Sequence, residues 1–233
     1  YEEKKPEEMD VIFLMDKFGY CKTIDMTTYE RNKEAADAEF KYVVKCRNTG
    51  RICVFTNTGQ LHTIKVVDIP FGKFRDKGQP IDNISNYNSA NEDILAITSQ
   101  SEMNLYRLLF VTKQSMCKII SGGEFDVAKR TVTSTKLSEG DEIVSVVVLN
   151  EQQHIILQSK EGYFLRFDIS EISEVKKTAL GVHGMKMGDN DYIEQVFYTY
   201  AGQNTKIEYK GKQIDMNKLK VAKRDAKGTK IRV

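Results

Sequence analysis

One short unit recurs along the chain and constrains its fold more than any other feature. It is an apolar run ending in Asp, Thr or Ser, a tight turn closing on glycine, and a second run of mixed character. It reads Phe13-Leu-Met-Asp-Lys-Phe-Gly19-Tyr-Cys-Lys-Thr-Ile-Asp25, and returns as Cys53-Val-Phe-Thr-Asn-Thr-Gly59-Gln-Leu-His-Thr-Ile-Lys65 and Ile156-Leu-Gln-Ser-Lys-Glu-Gly162-Tyr-Phe-Leu-Arg-Phe-Asp168. Looser copies are Leu109-Phe-Val-Thr-Lys-Gln-Ser115-Met-Cys-Lys-Ile-Ile120 and Lys206-Ile-Glu-Tyr-Lys-Gly211-Lys-Gln-Ile-Asp215. Turn positions 19, 59, 115, 162 and 211 lie 40 to 56 residues apart. That period is the size of a four-stranded propeller blade rather than of a helical repeat.

Segments 11–16, 52–56, 108–112, 143–149, 154–158 and 192–198 are short and rich in β-branched and aromatic residues. Their near-continuous apolarity predicts strands covered on both faces. Behind each turn the pattern loosens towards alternation, as in Leu61-His-Thr-Ile-Lys-Val66, which predicts half-exposed outer strands. Asn57-Thr-Gly59 and Lys160-Glu-Gly162 suit hairpin loops with glycine in the left-handed region. Helical pattern is confined to 29–40, where Glu34-Ala-Ala-Asp-Ala-Glu39 suits a short helix or, equally, a mobile loop. The expected fold class is all-β. A linker over 1–8 precedes a single domain over 9–233, with repeats at roughly 9–45, 46–100, 101–150, 151–200 and 201–233.

Composition narrows the function classes. No apolar stretch approaches the roughly 20 residues needed to span a bilayer. The start, Tyr1-Glu-Glu-Lys-Lys-Pro-Glu-Glu8, lacks the apolar core of a signal peptide. Cys21, Cys46, Cys53 and Cys117 form no C-x-x-C pair and read as reduced thiols of a cytoplasmic protein, three of them in apolar runs. His62, His154 and His183 lack ligand spacing and read as surface or structural residues. No Gly-rich phosphate loop, G-x-S-x-G or His/carboxylate cluster is present. Asp16, Asp25 and Asp168 read as turn and strand-end acids, and Glu139, Asp141 and Glu142 as an acidic turn. Neither catalytic residues nor a metal site nor a cofactor is expected in this domain.

The net charge is only +2, but its distribution is uneven. A basic loop follows each hairpin: Arg31 and Lys33; Lys73, Arg75 and Lys77; Lys129 and Arg130; Lys176 and Lys177; Lys223, Arg224 and Lys227. Charged loops are ordinarily just solvated. Here positive charge recurs at one place in a repeated unit, and radial repetition puts equivalent positions along one rim, which suits a polyanion. With little aromatic interleaving, contact with a duplex backbone is expected rather than stacking on single-stranded bases.

In this order and at this spacing, the motifs resemble the C-terminal domain of the A subunit of bacterial type IIA topoisomerases, that is, DNA gyrase and topoisomerase IV. The resemblance runs from about Met9. It rests on the hairpin unit and on Asp68-Ile-Pro-Phe71 with Asp76-Lys-Gly-Gln-Pro-Ile81-Asp-Asn-Ile84. It rests further on Gly140-Asp-Glu-Ile-Val144, Ala179-Leu-Gly-Val-His-Gly184 and Lys218-Leu-Lys-Val-Ala-Lys-Arg-Asp-Ala-Lys-Gly-Thr-Lys-Ile231. The resemblance implies a β-pinwheel, a propeller-like disc of about five blades of four antiparallel strands that exchange strands with their neighbours. Such a domain is non-catalytic and lacks the cleavage tyrosine. Its basic perimeter binds and bends double-stranded DNA to position it for strand passage, in the bacterial cytoplasm at the nucleoid. Its implied partners are the rest of the A subunit together with the B subunit, with ATP and Mg acting elsewhere in the holoenzyme.

Gyrase carries Gln-(Arg/Lys)-Arg-Gly-Gly-(Arg/Lys)-Gly in its first blade. Here the stretch after Tyr29 reads Glu30-Arg-Asn-Lys-Glu-Ala-Ala36, without glycine and partly acidic. Together with Asp68-Ile-Pro and Lys77-Gly-Gln-Pro, which look more like topoisomerase IV of Gram-positive type, this favours topoisomerase IV. A gyrase domain wrapping DNA for negative supercoiling, and a propeller used as a protein-interaction scaffold, are the alternatives.

Overall fold

The computed structural model describes residues 2–233; Tyr1, the first residue of the expected linker, lies outside them. The chain is built from one pattern used repeatedly: a hairpin, a short strand, then a return strand. The first repeat has hairpin β1 (Asp10–Met15) and β2 (Tyr20–Asp25), two helices, α1 (Met26–Arg31) and α2 (Lys33–Glu39), and β3 (Tyr42–Arg47). The second has β4 (Arg51–Thr56), β5 (Gln60–Lys65), the short β6 (Gln79–Pro80) and the return β7 (Ile94–Ser99). The third repeats it with β8 (Arg107–Thr112), β9 (Met116–Ser121), β10 (Thr131–Thr133) and β11 (Ile143–Leu149). The fourth follows with β12 (Gln152–Ser159), β13 (Tyr163–Asp168), β14 (Val182–His183) and β15 (Ile193–Tyr200). The fifth has β16 (Lys206–Tyr209), β17 (Lys212–Asp215) and β18 (Thr229–Lys230).

The short strands leave their own repeat. Sheet orders are β3-β1-β2-β6, β10-β5-β4-β7, β11-β8-β9-β14 and β15-β12-β13-β18, so each hairpin receives its fourth strand from the repeat that follows. All pairings are antiparallel. The fifth hairpin stands as a two-stranded sheet among the described residues. The all-β expectation holds, with four full sheets rather than five.

Turn chemistry explains the polar residue that ends each apolar run. Asp16 Oδ1 accepts the N–H groups of Phe18 and Tyr20 at 2.9 and 3.1 Å. Thr112 Oγ1 accepts from Met116 N–H (3.1 Å), and Ser159 Oγ from Tyr163 N–H (3.2 Å). Three residues on, the turn closes at positive φ in Gly19, Gly59, Ser115 and Gly162. Asp141, from the acidic turn, and Asp191, its counterpart in the next repeat, lock onto these hairpin tips: their Oδ1 atoms accept Gln114 N–H and Glu161 N–H, each at 3.0 Å.

Two compact units result, one comprising the chain to Thr56 with Gln60–Leu105 and Phe125–Ser134, the other Asn57–Gly59, Tyr106–Glu124 and Thr135–Val233. The first two sheets lie in the first unit, with Val11, Phe13, Ile52, Val54 and Ile64 in its core. The second unit packs Leu109, Ile119, Ile155, Leu157 and Phe167. Each such side chain contributes about 1.5–3 kcal/mol by leaving water. All four cysteines are buried and free, Cys46 because alternation along β3 turns it inward between exposed Lys45 and Arg47.

Two expectations are overturned. The strands behind the turns are not half-exposed: β2, β5, β9 and β13 are each buried over four consecutive residues. Segments 143–149 and 192–198, expected to be covered on both faces, are not: as β11 and β15 they are return strands, partly exposed like β3 and β7. The exchanged segment covers the second hairpin strand, so its polar side chains are buried beneath foreign backbone.

Candidate nucleic-acid interface

The basic loops are the segments that carry each exchanged strand to its sheet, and backbone bonds fix their path. In the first unit, Thr23 N–H donates to Pro70 O (2.8 Å) and Gly72 N–H to Thr23 O (3.1 Å). In the second unit, Val175 N–H donates to Ile119 O and Ala222 N–H to Arg166 O, each at 2.8 Å. Parallel bridges Thr23–Phe71, Ile119–Glu174 and Arg166–Val221 mark the same register in all three.

Each of these segments then passes a glycine at φ +78, +97 or +81: Gly78, Gly181 and Gly228. A Cβ there would meet the carbonyl oxygens of Cys21, Cys117 and Phe164 at 2.2, 2.3 and 2.6 Å. Only glycine permits that approach.

This shared path places the cations. Five residues before the glycine stands a lysine in all three segments, Lys73, Lys176 and Lys223, each exposed. The next position turns partly inward and holds Phe74, Lys177 and Arg224. Lys77 and Lys227, just before their glycines, lie over the rings of Tyr20 and Tyr163 at 4.4 and 5.3 Å, which holds the side chains without neutralising them. Arg75 is exposed as well. The segment entering the second sheet differs, with Thr131 in the glycine position. There the carbonyls of Lys129 and Arg130 bind Thr63 Oγ1–H and N–H at 2.7 and 2.9 Å, and both side chains are exposed.

Two groups of sequence candidates sit differently. Arg31 and Lys33 are exposed but belong to helices, not a loop: Arg31 ends α1, which Asp25 caps through Thr28 N–H, and Lys33 opens α2. Lys33 Nζ is ion-paired to Asp37 at 2.7 Å. Arg224 is a clip within the second unit, its Nε donating to Glu171 O (3.1 Å) and Nη1 to His183 O (2.8 Å).

Sequence reading missed the polar side chains beneath the segments. Lys22 and Lys118, both buried, sit three residues beyond the turn position. Lys22 Nζ donates to the carbonyls of Phe74 and Asp76, and Lys118 Nζ to those of Lys136 (2.9 Å) and Ala179 (2.7 Å). Burial pushes the Lys118 ammonium down to about 8 and lowers Lys22 too, though Asp76, Glu39 and Asp16 oppose the latter. His62 takes the same position in the second sheet, with Nε2 3.0 Å from Glu92 and Nδ1 2.8 Å from Thr131 Oγ1. Burial works against the Glu92 carboxylate, but hydrogen bonds from His62, Thr56 and Asn88 hold its pKa below the usual range. In the fourth sheet Arg166, one residue further on, donates to the carbonyls of Asn217 (3.0 Å) and Leu219 (3.1 Å). The signal was available: a basic residue recurs three places after positions 19, 59 and 115.

Comparison with known proteins meets this geometry at the repeat. Residues 106–150 and 153–199, the third and fourth repeats, match the family described as DNA gyrase C-terminal domain, beta-propeller. These two repeats are similar to those of the gyrase A C-terminal domain family. The DNA gyrase A subunit of Helicobacter pylori (strain ATCC 700392 / 26695) is 30% identical over 196 residues, covering 78% of this chain and 24% of that protein. The corresponding protein of Lawsonia intracellularis is 24% identical over 239 residues, covering 94% and 29%. The chain thus spans about a quarter of the length of these curated relatives. The crystal structure of the C-terminal domain of DNA topoisomerase IV superposes with TM-score 0.84 at 24% identity, covering 97% of this chain and 74% of that one. The DNA gyrase A C-terminal domain superposes at 0.61 and 19%, covering 94% and 76%. The fold is the β-pinwheel of these domains. Among the described residues no helix is long and apolar enough to cross a membrane, and no group of acids, histidines or cysteines forms a metal cluster.

Proposed function

We propose that the chain is the non-catalytic duplex-DNA-binding and DNA-bending domain of a type IIA topoisomerase A subunit, of the topoisomerase IV kind. The observation that carries this reading is the repeated exposed lysine, Lys73, Lys176 and Lys223, set at one register position by one backbone path. A cation delivered at one fixed place in three of the exchanged segments suits the regular spacing of phosphates, whereas a protein partner would call for varied side chains. Arg75, Lys77, Lys129 and Arg130 in the first unit, and Lys177 and Lys227 in the second, add to the cations of their segments. Its partners are the rest of the A subunit together with the B subunit, and ATP and Mg act in those parts. The bacterial cytoplasm, at the nucleoid, is its place of work.

The topoisomerase IV preference rests on the first repeat. Where gyrase would carry its glycine-rich basic box, the chain forms α1 and α2, with Ala36 buried and Lys33 tied to Asp37. Gyrase is the second reading, favoured by the 30% identity to the Helicobacter pylori protein.

Binding is tested by charge reversal. Lys73→Glu, Lys176→Glu and Lys223→Glu should each weaken binding to any duplex sequence and lower the salt slope by about 1, at unchanged melting temperature. If the triple variant binds plasmid and short duplex as the parent does at low salt, the DNA reading fails and the scaffold alternative stands. Within the holoenzyme of complete A and B subunits, decatenation without negative supercoiling is expected. Negative supercoiling would assign gyrase.

A further inference from the structure

Building on the DNA-binding reading, we propose that Lys22 and Lys118 are positioning residues. Each holds the cationic segment above it in its phosphate-binding conformation by gripping that segment's backbone carbonyls.

Both side chains are almost wholly withdrawn from water, Lys22 being 4% and Lys118 0% exposed. Neither appears in any ion pair among the described residues. Burying a cation is costly, and a packed apolar side chain of similar volume is usually the more stable choice at such a site. What an ammonium adds is several donors at one point. Lys22 uses them on the carbonyls of Phe74 and Asp76, inside the turn where Asp76 Oδ2 also accepts Lys73 N–H at 2.8 Å. With those two carbonyls drawn inward, the residues between and beside them, Lys73, Arg75 and Lys77, are all exposed. Its ammonium also sits over the rings of Phe40 and Phe74, at 5.2 and 5.5 Å, which fixes where the turn lies.

Lys118 performs the corresponding act in the second unit. Its donors join Ala179, in the turn following Lys176 and Lys177, to Lys136. Lys136 N–H in turn donates to Lys177 O at 2.9 Å. The circuit closes on the two cations of that segment. Neither grip is on a regular ladder, so without the ammonium these carbonyls lose a donor that no neighbouring strand replaces.

The test uses the whole 233-residue chain with Lys22→Met, Lys118→Met and the corresponding arginine variants. Three readings are taken: affinity for a 40-base-pair duplex across a salt series, the rate of tryptic cleavage at residues 73–77 or 176–177, and thermal unfolding. The methionine variants should lose about tenfold in affinity with a smaller salt slope, as expected when one or two phosphate contacts become disordered. Cleavage should accelerate at the segment above the changed residue and nowhere else. The arginine variants should stay within about twofold of the parent, since guanidinium keeps charge and donors.

A methionine variant that folds with unchanged cleavage and unchanged salt slope overturns the proposal, whatever its melting temperature. Should the methionine variants not fold, the arginine variants decide: exposed segments or lost affinity in folded protein overturn it. A parent chain that binds no DNA would defeat the functional reading instead, while the cleavage pattern still judges the grip.

Discussion

A buried lysine leaves a signature in the pH dependence of stability, and Lys118 is placed to show it. Its folded pKa of about 8 lies below the ordinary 10.5 because burial disfavours the charged form. Between those values the unfolded chain holds a proton that the folded chain has released, so stability rises with pH there. The four cysteines act oppositely. Burial raises each to about 12, so unfolded thiols ionise from about pH 9 and stability falls beyond it. Lys118 therefore adds a rising contribution of up to about 1 kcal/mol per pH unit between about pH 8 and 9, the thiols set a steeper falling one against it, and the profile stays nearly level to about pH 8 before turning down. In Lys118→Met the rising contribution should be lost except for the smaller part due to Lys22, so stability should fall earlier and more steeply. Urea unfolding at half-unit pH steps measures both profiles, and identical slopes between pH 8 and 9 would remove Lys118 as the cause.

The exchanged strand is the element that turns five similar hairpins into a pinwheel, and glycine controls its approach. At Gly78 and Gly181 a methyl group would meet backbone carbonyl at 2.2 and 2.3 Å, with φ already at +78 and +97. Gly140 has φ +75 but nothing within 4 Å of a Cβ. Alanine at position 140 should therefore cost about 1 kcal/mol through φ alone, and at 78 or 181 more than about 4 kcal/mol because β6 or β14 must detach. Calorimetry of the three variants separates strain from steric exclusion. Similar costs at all three sites would mean the segments yield readily.

Hairpins and basic loops were legible in the sequence because turn geometry writes itself locally, as Asp16 with Gly19 and Ser159 with Gly162 show. The exchange was implied only by the family resemblance and by no local pattern, since β6, β14 and β18 are only two residues long and carry no period of their own. For the same reason Lys22 and Lys118 went unremarked, in strands expected to be half-exposed. Burial by a segment from the following repeat is a non-local fact. Arg224, too, read as a free cation because its partners Glu171 and His183 lie 53 and 41 residues away in sequence.

At the scale of the molecule, exchange means that a cut between repeats is not a cut between folded parts. The first unit ends its continuous stretch at Leu105 yet also needs Phe125–Ser134. Within that late stretch, Phe125 is fully buried and meets Phe55 edge-on at 5.4 Å. β10 pairs with β5, Arg51 Nη1 donates to Ala128 O at 2.6 Å, and Gln100 Nε2 donates to Val127 O at 3.1 Å. Removing a buried phenylalanine alone costs about 3–5 kcal/mol. That is a large share of the roughly 5–15 kcal/mol that holds an ordinary domain together. A fragment of residues 1–105 should therefore lack a cooperative thermal transition and bind a dye for exposed apolar surface, whereas residues 1–134 should melt cooperatively. Adding a peptide of residues 125–134 to the shorter fragment should restore part of the transition, because that peptide carries both the ring and the missing strand. If residues 1–105 melt as sharply and as high as residues 1–134, the late stretch is decoration and the repeats fold one by one. A melt restored by the peptide would instead mean that each repeat is completed only when the next has been made.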